Sequence, residues 1–112
     1  MTDNELTILN YIKDRCRGKQ HAETFGRLSL LLDINERELR LCVAELVTHY
    51  EQPIASTSDA GYYWLNCDDE YQQASNELMS RIRKLSKRHK GLRLGYMKSK
   101  QVIVKQLELL EV

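Results

Sequence analysis

A chain of 112 residues, 42% hydrophobic and 29% charged, is expected to form one globular domain around a modest core. No apolar run approaches the roughly 18 residues of a membrane-spanning helix. The opening MTDNELTILN also lacks the basic-then-apolar order of a secretion signal, so the expected location is cytoplasmic, away from membranes. The net charge of +1 divides unevenly: residues 1–77 carry 7 Lys/Arg against 14 Asp/Glu, whereas residues 78–107 carry 10 Lys/Arg and no acid. That asymmetry suits a polyanionic partner, the plain alternative being a solvated basic face.

In chain order, Asp3 is placed to cap a first helix over about residues 4–17, with Leu6, Leu9, Ile12 and Cys16 as its buried stripe and Gly18 at its end. Residues 19–22 follow as a short extended link. A second helix covers about residues 23–31, starting at Glu23 or Thr24, with Phe25, Leu28, Leu31 and Leu32 for packing. Asp33 then occupies a tight turn, where it tolerates left-handed backbone better than most residues. Ile34 plugs the gap between helices. Asn35 is a strong N-cap for the next helix, and Glu38 stands three residues later, the spacing of a capping box.

The third helix is expected over about residues 36–50. At helical periodicity Leu39, Cys42, Val43, Leu46 and Tyr50 share one side, with Val47 at its margin. Arg37, Leu41, Ala44 and Thr48 share the other, flanked by Arg40 and Glu45. Pro53 precedes two β-type runs, residues 54–57 and 62–65, that form a hairpin around Ser58-Asp59-Ala60-Gly61. Tyr62 and Trp64 should face the helices, and Tyr63 and Leu65 the opposite side. A fourth helix over about residues 69–89 carries the stripe Tyr71, Ala74, Leu78, Ile82 and Leu85, and Gly91 and Gly95 predict a break after it. In residues 97–112, Ile103, Leu107 and Leu110 have helical spacing while Val102-Ile103-Val104 favours a strand; the helix is the preferred reading.

The order in residues 22–65 is helix, tight turn, longer helix with outward arginines, then two short β runs. It resembles winged-helix DNA-binding domains, and more narrowly the small stand-alone ones carried by phages and prophages. The resemblance covers roughly the first 90 residues. It implies a mainly α fold with a small β-hairpin (α+β): a winged helix-turn-helix with an extended C-terminal helix and tail. Residues 1–90 would be the winged-helix domain. Residues 91–112 would be a tail for dimerisation or partner binding, since Leu107, Leu109 and Leu110 need cover.

The expected function is non-enzymatic binding of double-stranded DNA, in transcription regulation or phage-type replication control. A helix-turn-helix presents the N-terminal half of its second helix to the major groove, where arginine can bond guanine or hold phosphate. Arg37 and Arg40 lie in that half. Leu41 and Ala44 can meet a thymine methyl, Thr48 a phosphate or base, and Asn35 the backbone. The wing tip offers hydroxyls, Ser56 and Ser58, but no Lys or Arg, and Asp59 has the wrong sign. Lys84, Lys87, Arg88 and Lys90 can track phosphates. A homodimer would suit two-fold half-sites, and the tail could instead hold a protein partner. The alternatives are a winged helix used as a protein-interaction module, which the acidic residues 1–77 suit, and an assembly factor of a replication complex.

Catalytic and metal chemistry find no motif. There is no Gly-rich phosphate loop, no His-Glu-x-x-His and no Gly-x-Ser-x-Gly elbow. Cys16, Cys42 and Cys67 are odd in number and widely spaced, and His21, His49 and His89 are scattered, so neither disulfides, a metal nor a cofactor is expected. Asp68-Asp69-Glu70 is read as a helix start favoured by the macrodipole.

Overall fold

A computed structural model describes residues 1–57 and 59–110, apart from the side chains of residues 103 and 104. The elements are α1 (Asp3–Arg15), a 3-10 turn (Lys19–His21), α2 (Phe25–Leu32), α3 (Glu36–Thr48), β1 (Ile54–Thr57), β2 (Gly61–Trp64) and α4 (Asp68–Leu110). The class is therefore mainly helical with one small antiparallel sheet, as the sequence implies. The chain divides into two compact units, Met1–Ser75 and Asn76–Val112.

In the first unit, α1 starts one residue earlier than expected. Thr2 is the N-cap, its Oγ1 accepting the Glu5 N–H at 3.1 Å, and Asp3 joins the first turn, where its charge complements the helix dipole. The buried stripe is Ile8, Ile12 and Cys16, with Leu9 half-buried and Leu6 exposed. Leu6 and Ile8 lie about 200° apart on a helix, so one stripe can bury only one of them. Glu5 shares the buried side; its Oε1 accepts the Thr2 hydroxyl at 3.0 Å.

The core is built from α1, Leu28 of α2, the residues Leu39, Cys42, Val43 and Leu46 of α3, and Ile54 and Tyr62 of the hairpin. Full burial of each large aliphatic group contributes about 1.5–3 kcal/mol. Burial pushes the Cys16 thiol up to about 11, helped by the charge of Glu23. Burial also pushes Cys42 up to about 11, together with its hydrogen bond to Glu38. Both therefore stay protonated packing groups rather than nucleophiles.

The hairpin pairs Ile54 with Trp64, Ala55 with Tyr63, Ser56 with Tyr62 and Thr57 with Gly61. The expected extended link is different in detail. Residues Lys19–His21 form a 3-10 turn after Gly18, whose φ of +84° suits glycine. Extended pairing is confined to isolated bridges on either side, Arg17 to Trp64 and Glu23 to Tyr62. Strand β2 is thereby hydrogen-bonded along both edges. Tyr63, expected on the open side, is only 1% exposed, and its cross-strand neighbour Ala55 is buried too. Both faces of the hairpin thus carry buried residues, with Ser56 exposed and Trp64 half-buried.

Helix α4 opens with Asp68, Asp69 and Glu70 in its first turn. The Glu70 carboxylate accepts the backbone N–H of Lys19 at 2.6 Å and of Asn66 at 2.9 Å. Those two bonds, the Lys19 one foremost, hold its carboxyl below the usual glutamate range. The helix then runs for 43 residues, through the expected break and through residues 97–110. Glycine lowers helix propensity without forbidding it, and Gly91 and Gly95 sit among Lys, Arg, Leu and Met, which are good helix formers. The stripe Tyr71, Leu78, Ile82 and Leu85 is more than half exposed, because periodicity marks an apolar face but not what covers it. No described helix is long and apolar enough to cross a membrane.

A Cβ at Gly91 or Gly95 would meet nothing within 4 Å. Gly91→Ala and Gly95→Ala are each expected to stabilise α4 by about 0.8–1 kcal/mol. Thermal melts followed by far-UV circular dichroism check this; a double variant that loses helicity would mean the glycines serve close packing.

Candidate nucleic-acid interface

Local chemistry presents α3 as expected. Thr24 caps α2, its Oγ1 accepting the Arg27 N–H at 3.4 Å. Asp33 ends α2 with φ 54° and ψ 46°, the left-handed conformation anticipated for the turn. Buried Ile34 follows; its carbonyl accepts the Ser29 hydroxyl at 2.6 Å, and its N–H donates to the Ser29 carbonyl at 3.2 Å. Asn35 caps α3, its Oδ1 accepting the Glu38 N–H at 2.8 Å. The reciprocal half of a capping box is not formed among the described residues. Glu38 instead accepts the Cys42 thiol at 3.5 Å. Asn35 thus spends its oxygen on the cap, and its amide N–H groups make no hydrogen bond among the described residues.

With Leu39, Cys42, Val43 and Leu46 buried, the opposite side of α3 is open. Arg37, Leu41, Ala44 and Thr48 are all exposed. Their spacing of four, three and four residues aligns them along one straight face. Arg37 makes no ion pair among the described residues, and the acids nearby do not hold it; Glu45 faces His49 at 3.9 Å instead. Arg40 is placed differently from Arg37. Its guanidinium lies 4.6 Å from the centre of the Phe25 ring, which in turn lies 4.9 Å from the Tyr62 ring. Burial pushes the Tyr62 phenol up, partly opposed by the Arg40 charge. Arg40 therefore caps a pair of tilted rings beside the hairpin as well as flanking the open face.

Ser56 is exposed on β1 in the same unit, while Ser58 lies outside the described residues. Thr57 Oγ1 accepts the Ala60 N–H at 3.0 Å, so this hydroxyl braces the turn. Hydrogen bonds from the local backbone and from Thr57 hold the Asp59 carboxyl below its usual range, so the tip keeps its negative charge. Lys84, Lys87, Arg88 and Lys90 are exposed on the second unit.

The apolar surface of α2 was not among the expected site residues. Leu30 is 86% exposed and Leu31 52%, because Leu28 alone points fully inward from this eight-residue helix. The run Leu30-Leu31-Leu32 carried that signal, since one helix face cannot bury three consecutive residues. The described residues contain no group of three or more acids, cysteines or histidines arranged to hold a metal. Comparison with known proteins finds no family model, no characterised protein and no solved structure that matches the chain.

Proposed function

We propose that the chain is a non-enzymatic double-stranded DNA-binding protein of the winged helix-turn-helix type, acting in transcription regulation or phage-type replication control. The observation that carries the reading is the open face of α3, with Arg37, in its N-terminal half, exposed and without an ion pair among the described residues. A helix of this size fits the major groove, and an arginine there can bond the O6/N7 edge of guanine. The left-handed turn at Asp33, the Asn35 cap and the buried face of α3 set the direction in which that open face points, which is what positioning requires. The ten basic residues of 78–107 supply the phosphate attraction that the acidic first unit lacks.

A second reading is a protein-interaction module. It is favoured by the exposed Leu30 and Leu31 and by the 14 acids against 7 bases in residues 1–77. Selection of bound duplexes from a random pool separates the two. On a selected duplex, Arg37→Ala is expected to lose about 1–3 kcal/mol and to relax preference at one position. Binding of selected and random duplexes unchanged by Arg37→Ala would remove α3 as the reading element. Failure to recover any duplex at low salt would favour the interaction module.

A further inference from the structure

The long helix carries a regular apolar seam whose described side chains are exposed. From Leu78, the positions Ile82, Leu85, His89, Leu92 and Tyr96 follow at alternating steps of four and three residues. That is an unbroken a/d heptad line, with Leu78, Leu85 and Leu92 at d and Ile82, His89 and Tyr96 at a. Ser75 and Ser99 occupy the same line at either end, so the apolar part spans about three heptads. Its leucines, Ile82 and Tyr96 are each more than half exposed. A second feature falls on the same line. A shallow concavity is lined by His89, Leu92, Arg93 and Tyr96. Those residues stand at i, i+3, i+4 and i+7, the diamond of four that receives a partner's side chain in knobs-into-holes packing.

Charge selects the occupant. The positions flanking the seam hold Arg81, Arg88, Arg93 and Lys100 and no acid. Lys100 leans over the seam, 5.5 Å from the Tyr96 ring centre. In a parallel pair of identical helices, Arg88 would face Arg93 of the second copy. In an antiparallel pair every flanking contact is cationic or neutral. A seam of three heptads interrupted by histidine and tyrosine has little apolar energy to spend against that repulsion. The other six basic residues of 78–107 lie on the outer positions of the helix, away from the seam.

We propose that residues 78–100 dock one helix of a different protein, apolar at its own a and d positions and acidic at the flanking ones, in a two-stranded coiled coil. The docking surface does not involve α3, but it shares Arg88 with the cations proposed to attract phosphate. A second copy of the chain is the occupant it excludes.

The test uses the full chain and a synthetic helical peptide of about four heptads, with Ile at a, Leu at d and Glu at e and g. A Lys version of that peptide is the control. Titration by fluorescence anisotropy and mass by analytical ultracentrifugation should give a one-to-one complex with the Glu peptide and none with the Lys peptide. Arg88→Glu with Arg93→Glu should weaken the Glu peptide about a hundredfold and create binding of the Lys peptide. Leu85→Gln with Leu92→Gln should abolish binding of the Glu peptide while Trp64 fluorescence, in the first unit, stays that of the parent. Three results would overturn the proposal. One is a parent chain that sediments as a dimer and becomes monomeric in the leucine variant. Another is a leucine variant that binds the Glu peptide as the parent does, which would reduce the attraction to bulk charge. The third is a random duplex whose binding disappears with the same two leucines, which would make the seam a nucleic-acid surface.

Discussion

Replacing Gly61 by alanine is expected to destabilise the first unit by about 3 kcal/mol or more. Gly61 opens β2 with φ at +94°, where a side chain adds roughly 1–2 kcal/mol of strain. The larger difficulty is space. A Cβ there would overlap the backbone carbonyl of Glu23 and the Cα of Thr24. Neither is the end of a flexible side chain. Glu23 exchanges two hydrogen bonds with Tyr62, at 2.8 and 3.0 Å, and Thr24 caps α2. Relief means moving the hairpin away from the start of α2, at about 1–3 kcal/mol for displaced packing. Urea unfolding followed by the fluorescence of Trp64, the single tryptophan, should show the midpoint fall by roughly 2 M. A midpoint equal to the parent's would mean that the two segments separate at no cost.

Neutralising Lys84, Lys87, Arg88 and Lys90 to glutamine should flatten the salt dependence of DNA binding. Lys84, Lys87 and Arg88 fall within an arc of about 100° on α4, with Lys90 further round, so about three can meet one phosphate backbone together. Each lost contact lowers the log–log slope by about 0.9, a total near 3. Extrapolated from molar salt, where this attraction vanishes, affinity at 0.1 M should drop several hundredfold, alike for selected and random duplexes. That uniformity distinguishes the substitution from Arg37→Ala, which alters preference among sequences. An unchanged slope would assign these four cations to solvent or to a protein.

Legibility in the sequence follows how local each determinant is. Asn35, Asp33 and the inward set Leu39, Cys42, Val43 and Leu46 were readable because caps, turns and the period of about 3.6 residues in a helix are settled within a few residues. The open face of α3 followed from the same count. Choices that depend on distant partners were not readable. Leu6 and Ile8 have equal claim to the core until α3 packs on one side of α1. Arg40 reaches Phe25, and Tyr63 is covered, only once the chain is folded. The short link 19–22 takes its shape from bridges to β2, some 40 residues on. Gly91 and Gly95 misled in another way: their penalty is real but smaller than the sum of the good helix formers around them.

The hairpin also determines how this protein meets other proteins. One edge of β2 is bonded to β1 and the other to Arg17 and Glu23, so it offers no unpaired backbone to an incoming strand. The remaining edge belongs to β1, four residues long and preceded by Pro53, which has no N–H to donate. So short an edge resists cross-β association, and with it aggregation through strand pairing. Addition of a further strand is thereby confined to the short β1 edge, and the longer runs of exposed side chains lie on the helices.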